Sequence, residues 1–361
     1  MIAKRFPIHR SVWVLRGYTR SSATKLWKAP QSLTLFYEND MAYQPPHITS
    51  KKLLIVCRDV GGYVKRLSDY LAKNNEVTFV DLSAQRDQVP FLPGKLRRWL
   101  KKFLTVRAAH RQIQKAGKVD SVLIINPAQI DIALVDEAMV AAQQTIAFLS
   151  DGVTRLAMPV AQLARFDKVY TFDDADAQEC GFRKLSNYIY ELNAELETTR
   201  EYKAFVVMAG KNRIDVLGRI AAEFDRLGHK NYKFLVQSKV VENSSPGITF
   251  FRKRMSLDEV GDLIRRSEIL IDIVRPGHAG LSFRFFDALF YRKKIITNNP
   301  SVMNYDFYDA RNILVIDSEH PVIPPSFLVE EYIDPPAHVV QKYSMGSWAA
   351  EVFAPLVDDQ R

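Results

Sequence analysis

ILIDIVRPGHAGLSFRFFDALFYRKKIITNN, residues 269–299, is the stretch on which the fold reading turns. Residues 269–274 are short, β-branched and apolar, the pattern of a buried strand. Pro276, Gly277, His278, Ala279 and Gly280 interrupt it. From Leu281 apolar residues recur at helical spacing (Leu281, Phe285, Ala288, Leu289), and the basic run Arg292-Lys293-Lys294 marks the expected helix end. Residues 295–297 then read as the next strand. Strand, glycine loop, helix and strand form the unit of a parallel α/β sheet, whose ligands sit at the carboxyl ends of the strands. Gly277 and Gly280 let the backbone approach a ligand, and the helix start after Gly280 offers unpaired N–H groups that suit a phosphate. Arg275 and Arg284 would add charge on either side of that loop. The same spacing also fits a plain βαβ turn with Arg284 on a solvated helix face.

Working outward, the pattern repeats. Residues 204–208 read as a strand, followed by the loop Ala209-Gly210-Lys211-Asn212-Arg213 and a helix over 215–227. Strands follow at 233–237 and 248–251. A helix over 256–266 opens with Ser256 and has Glu259 three positions on, a capping box. Towards the N-terminus, residues 53–57 form a strand that leads into Arg58-Asp59-Val60-Gly61-Gly62, a helix over 63–74 and a strand at 77–81. Gly61-Gly62 is not the full dinucleotide fingerprint, and Asp81 matches the expected ribose-binding acid only loosely, which argues against a dehydrogenase. Further strands are expected at 122–126, 145–149 and 168–172, with a helix over 131–143. Asp173-Asp174 precedes another helix, and capping accounts for the Asp173, Asp174, Asp176 cluster without a metal. The fold class is therefore α/β, with two facing Rossmann-like domains whose ligand loops meet across one cleft.

Length and composition agree. A chain of 361 residues, with 47% hydrophobic and 25% charged residues, is ordinary for a globular protein of two domains. Cys57 and Cys180 supply neither a disulfide framework nor zinc spacing, which fits a reducing compartment. No apolar run reaches the roughly 18 residues of a membrane span. Charges interrupt the apolar residues of the N-terminus, so a secretory signal is not expected and the expected location is cytoplasmic.

The net charge of +9 is unevenly placed. Residues 1–50 carry seven Lys and Arg against two acids, and residues 95–118 carry nine with no acid. In the second stretch Leu96, Trp99, Leu100, Phe103, Val106, His110 and Ile113 fall on one helical face, with basic residues around the rest. That composition suits a helix lying on an anionic membrane surface, and equally a core-packed helix with a solvated basic face. No nucleic-acid reader motif accompanies the charge, so nucleic acid is not an expected partner. Trp13, Trp27 and Phe6 in the basic segment rest either on a membrane or on the body; a strand is expected at 32–37 and a linker at 44–46.

Several blocks in order carry a family resemblance. They include Phe166-Asp167-Lys168-Val169-Tyr170-Thr171-Phe172-Asp173 with Gly181-Phe182, Ala209 to Arg213, and Ile271-Asp272-Ile273. They continue through Gly280-Leu281-Ser282-Phe283-Arg284, Lys293 to Asn299, Tyr305-Asp306-Phe307-Tyr308, residues 312–317, Tyr343-Ser344 and Trp348. Over about 148–353 the chain resembles the bacterial GT-B glycosyltransferase-like proteins of lipopolysaccharide and capsule biosynthesis, a group with spore-maturation relatives. The resemblance implies transfer of a sugar from a nucleotide donor to a glycan or lipid-linked acceptor. The nucleotide sugar is then the substrate, with no cofactor and no metal. The implied organisation is a basic extension (1–50), an acceptor-side domain (51–195), a donor domain (196–340) and a C-terminal helix (341–361) crossing back to the first domain.

Under that reading the donor diphosphate rests on Gly280, Leu281 and Ser282, with Gly210 and Gly277 in the neighbouring loops. Arg213, Arg275 and Arg284 offset its charge, Asp287 holds a sugar or ribose hydroxyl, and His278 approaches the reacting sugar. Gly61 and Gly62 form the acceptor-side loop. Asp59 and Asp151 are the candidate general bases, since activating an acceptor hydroxyl needs a carboxylate or imidazole within hydrogen-bond reach; either also fits a strand-end cap. Three positions depart from the family pattern: His278 stands where Gln is usual, Asp287 where Glu is usual, and Ser150 where Trp precedes Asp151. The departures keep two other readings open, a catalytically degenerate binding scaffold and a sugar-nucleotide epimerase of the same architecture. Sugar, linkage and stereochemistry are not readable, because they depend on a few pocket contacts.

Overall fold

The computed structural model describes residues 48–83, 94–157, 159–191, 200–238, 247–275 and 279–355. All belong to one compact unit, Ser32–Arg361. The strand expected at 32–37, the linker at 44–46, and Gly277 and His278 of the glycine loop lie outside the described residues.

The described strands form two parallel sheets. The first contains β1 (Lys52–Cys57), β2 (Glu76–Asp81), β3 (Val119–Ile125), β4 (Ala142–Leu149), β5 (Lys168–Thr171) and β6 (Arg183–Lys184), in the order β2-β1-β3-β4-β5-β6. The second contains β7 (Tyr202–Ala209), β8 (Lys233–Gln237), β9 (Ile248–Phe251), β10 (Ser267–Asp272), β11 (Lys294–Thr297) and β12 (Ile313–Val315), in the order β12-β11-β10-β7-β8-β9. The order in which strands are added reverses in each sheet at one place, between β1 and β3 and between β7 and β10. Those are the switch points where an open α/β sheet leaves a crevice. Both sheets are apolar on both faces. Leu53 and Ile55 pack into one core and Leu54 and Val56 into another, which is why each strand reads as a continuous apolar run.

The main helices are α1 (Tyr63–Leu71), α2 (Gly94–Ala116), α3 (Ile132–Ala141), α4 (Asp174–Cys180), α5 (Ile214–Arg226), α6 (Leu257–Arg265), α7 (Phe283–Tyr291) and α8 (Met345–Val352). The capping box at the start of α6 forms as expected, with Ser256 Oγ accepting from Glu259 N and the Glu259 carboxylate accepting from Ser256 N. The helix expected from Leu281 starts at Phe283, because Ser282 is its N-cap and accepts from Arg284 N at 3.3 Å. It stops where Arg292 takes a left-handed φ of 54°.

The basic run marks the helix end as expected, and two of its lysines turn inward. Lys293 and Lys294 are buried. Lys294 Nζ donates to Phe327 O and Glu330 O, both at 2.8 Å, and Lys293 Nζ donates to Arg265 O at 2.7 Å. Each ammonium takes carbonyls that a neighbouring chain end leaves unpaired.

After β12 the chain returns to the first sheet. Ile189 N donates to Tyr343 O at 2.8 Å, and α8 then packs on Ile146, Phe148 and Tyr170. Trp348 is 2% exposed and meets Phe148 edge-on at 5.2 Å between ring centroids. Its Nε1–H donates to Ser186 O at 3.0 Å. Buried Lys168 closes the end of α8, donating to Val352 O at 3.3 Å and Ala354 O at 2.5 Å. Both six-stranded sheets thus share one closed body, the facing arrangement of the GT-B architecture. Trp348→Ala should lower unfolding free energy by about 3–5 kcal/mol. Urea denaturation followed by circular dichroism would show it as a lower midpoint; a loss under ~1 kcal/mol would mean that α8 is not anchored by this ring.

Candidate functional site

A cleft of about 550 Å³ opens between the carboxyl ends of the two sheets. Its walls come from the residues just past β1, β3 and β4 (Arg58, Asp59, Asn126, Asp151, Arg155) and from those past β7 and β10 (Arg213, Asp272, Arg275), with Arg254, Arg284 and Asp287 completing the second wall. Both switch points therefore empty into the same space. Among the described residues the lining holds six arginines against four aspartates and contains no lysine. Guanidinium groups present planar, forked donors that match phosphate and carboxylate oxygens.

The arginines divide by what they already hold. Arg284 Nη1 donates to Asp272 at 2.8 Å and its Nη2 to Val207 O at 2.7 Å. Asp272, 3% exposed, also accepts from Ser282 Oγ at 2.7 Å. Arg213 donates to Ile273 O at 2.9 Å and Ala209 O at 2.7 Å, tying the ends of the two strands beside the switch point. Burial, with Arg275 and Arg284 nearby, brings its guanidinium down to about 10, which leaves it charged at neutral pH. Arg155 pairs with Asp151 at 2.6 Å. Arg254 and Arg275 have no hydrogen bond or ion pair among the described residues. Two cations with unused donors therefore stand on the second wall.

Asp287 lies on α7, 6% exposed, with Oδ1 lacking a hydrogen-bond partner among the described residues. Burial pushes its carboxyl up to about 7, against a hydrogen bond from Tyr190 and the charge of Arg284, which pull the other way. A buried carboxyl with an unused oxygen facing a cleft is suited to a hydroxyl, and it can act as donor or acceptor near neutral pH. Asp59, at the end of β1, uses both carboxylate oxygens as a cap for α1, accepting from Gly62 N and Lys65 N at 2.7 Å each. Burial raises its pKa above the ordinary carboxylate value, while those backbone bonds partly offset the rise.

The glycines serve packing as well as the cleft. A Cβ on Gly280 would lie 2.4 Å from Phe172 Cδ2 and 2.6 Å from its carbonyl oxygen, so this glycine is required where the two halves touch. Gly61 lies under the ring of Tyr63, Gly62 takes a left-handed φ of 89° before α1, and Gly210 is crowded by Val236. Gly61 and Gly280 line the cleft; Gly62, Gly210 and Leu281 do not, and Leu281 is buried in the core beneath α7. The acidic cluster around Asp173 does more than cap. One carboxylate oxygen caps α4, while the other accepts from Ala279 N at 3.0 Å across the seam. Capping alone left that second bond unseen.

Sequence reasoning also missed the aromatic floor of the seam. Tyr63 and Phe283 stack with centroids 3.9 Å apart and planes 3° from parallel, and Tyr188 and Tyr190 meet Phe283 edge-on. Tyr63 follows one glycine loop and Phe283 the other, a symmetry visible in sequence only once the halves are known to face each other. Arg58, Arg155 and Arg254 were missed as well; Arg58 carried a signal in its place beside Asp59 at a strand end. Among the described residues, no group of three or more His, Cys, Asp and Glu stands together to hold a metal ion.

No family model matches the chain, and no curated protein matches it. Solved structures match along most of its length. The catalytic domain of starch synthase IV from Arabidopsis thaliana, bound to ADP and acarbose, is 11% identical, with 84% of this chain and 98% of that one covered and a TM-score of 0.49. An α,α-trehalose-phosphate synthase (UDP-forming) from Burkholderia xenovorans, in complex with glucose-6-phosphate, is 11% identical over 83% and 98%, with a TM-score of 0.48. An α-glucosyltransferase in complex with UDP and a 13-mer DNA is 9% identical over 84% and 95%, with a TM-score of 0.49. Identities this low attach no activity to the chain.

Two predictions follow from the geometry. Gly280→Ala should cost about 1–3 kcal/mol by forcing Phe172 and the α7 loop apart; an unchanged melting temperature would show that the seam tolerates opening. For Asp287, a folded pKa raised from 3.8 to about 7 means that the stabilising contribution of the neutral carboxyl is complete below about pH 4 and is lost as pH rises through 7. The full swing is on the order of 4 kcal/mol. Asp287→Asn should flatten that part of the stability profile in urea titrations between pH 4 and 8; identical profiles for the two proteins would remove the buried-acid assignment.

Proposed function

We propose that the chain transfers a sugar from a nucleoside-diphosphate sugar to a glycan or lipid-linked acceptor in cell-envelope polysaccharide synthesis. The observation that carries the reading is a cleft at both switch points with unpaired Arg254 and Arg275 on one wall and Asp59 on the other. The sequence resemblance over 148–353 supports the envelope assignment. In this reading the donor diphosphate lies against Arg213, Arg254 and Arg275, whose charge stabilises it as it leaves. Asp287 holds a hydroxyl of the donor through its unused oxygen. Asp59, its proton affinity raised by burial, accepts the proton of the acceptor hydroxyl as that oxygen bonds to the anomeric carbon. The bond from that carbon to the diphosphate oxygen breaks, and the nucleoside diphosphate carries away the electron pair. The nucleotide sugar is a substrate, and no separate cofactor enters the reading.

One observation favours a second reading, a binding scaffold without turnover: both candidate bases already have partners, Asp59 as a helix cap and Asp151 with Arg155. A thermal-shift panel of uridine, guanosine, cytidine and adenosine diphosphates and their sugars tests the donor site. A ligand at ~100 times its dissociation constant should add roughly 2.7 kcal/mol of stability. Arg275→Ala should weaken that ligand by about 1.5–3 kcal/mol, the value of a hydrogen bond to a charged group. Asp59→Asn should leave the shift intact while reducing sugar transfer by about 10²–10⁴. A shift without any turnover selects the scaffold; isomerised donor sugar formed without acceptor selects an epimerase; no shift with any nucleotide removes the donor site altogether.

A further inference from the structure

Helix α2 is longer than the sheet it packs on. Its 23 residues span about 34 Å, whereas the seven residues of β3 span about 23 Å. Val106, Ala109 and Ile113 anchor its second half in the core of the first domain. In a parallel sheet the connecting helix runs back against the strands, so the first half of α2 overhangs the carboxyl ends, on the side where the cleft opens. Lys102 meets Asp131, the N-cap residue of α3 just past the end of β3, which marks where the overhang begins.

The single amphipathic face read from the sequence does not survive in the structure. At 100° per residue, Leu96, Trp99 and Phe103 point roughly a quarter turn away from Val106, Ala109 and Ile113. Leu96 is 52% exposed, Trp99 63%, Phe103 46% and Leu104 40%. Trp99 and Phe103 stack with centroids 5.6 Å apart, which makes one aromatic ledge. Lys95 and Lys102 flank this stripe on one side and Arg97 and Lys101 on the other, and residues 94–118 contain no acid.

We propose that this overhang docks on an anionic bilayer surface, with Leu96, Trp99, Phe103 and Leu104 at the acyl boundary and the flanking cations on lipid headgroups. Charge decides the occupant. A second copy of the same helix would set cation against cation, while an anionic bilayer offers negative charge and an apolar layer behind it. Nucleic acid would satisfy the cations and leave the aliphatic residues in water. Docked this way, the cleft mouth beside Asp59 lies close to the membrane, which suits an acceptor carried on a lipid. That last point rests on the glycosyl-transfer reading; the docking itself does not.

The test is co-sedimentation of the full chain with vesicles of equal parts phosphatidylglycerol and phosphatidylcholine, and with phosphatidylcholine alone. Binding should require the anionic lipid and weaken as salt rises. The fourfold variant Arg97→Ser, Arg98→Ser, Lys101→Ser, Lys102→Ser should lose ~100-fold or more in apparent affinity, at about fivefold per cation. Trp99→Ser with Phe103→Ser should also weaken binding, and by a factor that salt does not restore. Circular dichroism and the nucleotide thermal shift should be unchanged in both variants, because none of these side chains lines the cleft or belongs to the buried core. No binding to the anionic vesicles at low salt, equal binding by both variants, or capture of duplex DNA in preference to vesicles would each overturn the proposal. Vesicle binding without any nucleotide shift would leave docking standing and remove the transfer reading instead.

Discussion

Asp272, buried at the carboxyl end of β10, is the charge on which the cleft depends. Arg284 and Ser282 both reach that carboxylate from the start of α7. Removing one member of such a buried pair commonly costs about 3–5 kcal/mol, because the other charge is left without water or partner. The pair therefore sets where α7 begins and how it is rotated. That rotation places Phe283 on Tyr63 and turns Asp287 towards the cleft. One ion pair thus fixes the helix start, the seam between the halves and the orientation of the buried acid.

The seam closes around the same point. Asp173 takes Ala279 N from across the gap, Asn187 Nδ2 donates to Leu281 O at 2.9 Å, and buried Asn299 donates to Ala279 O at 3.2 Å. The backbone before α7 is held by side chains from both domains. Its polar groups are consequently satisfied by protein at the edge of the cleft. The Tyr63–Phe283 stack adds an aromatic contact worth about 0.5–1.5 kcal/mol beyond its area. Across the rest of the cleft, charge is left uncompensated: arginines outnumber aspartates, and burial brings one of those aspartates, Asp287, close to neutral. The field in that space is positive, which favours an anionic ligand.

Buried lysines perform a separate task. Lys168 and Lys294 open β5 and β11, and each directs its ammonium to the carbonyls of a chain segment that ends nearby. Lys203, near the start of β7, does the same to Leu328 O at 2.6 Å while pairing with Glu268. Burial lowers the proton affinity of Lys168 and Lys294, and the carbonyl contacts compensate the loss of water. Lys168 secures the returning C-terminal helix to the first sheet and so contributes to holding the two halves in one body.

Much of this was legible from the residues. Apolar runs such as 53–57 and 269–271 specify strands buried on both faces, because no polar residue interrupts them; Ser256 with Glu259 specifies a helix start through a local hydrogen-bond exchange. Arg275 and Gly280 were placed in one loop by chain proximity, and Arg213 and Asp287 were joined to it only through the family resemblance. What the sequence could not decide is how side chains distant in the chain share charge and space. It did not distinguish an arginine already holding Asp272 from one left with free donors, because that depends on which carboxylate folds beside it. It read Lys294 only as part of a basic run at a helix end, whereas the carbonyls that bury it come from residues more than thirty positions away. It placed Trp99 and Ile113 on one face, whereas the edge of the sheet ends beneath the helix and leaves the first half exposed. Periodicity is a local property and survives in sequence; ion pairing, desolvation and the reach of a helix past its sheet are set only when the chain has closed on itself.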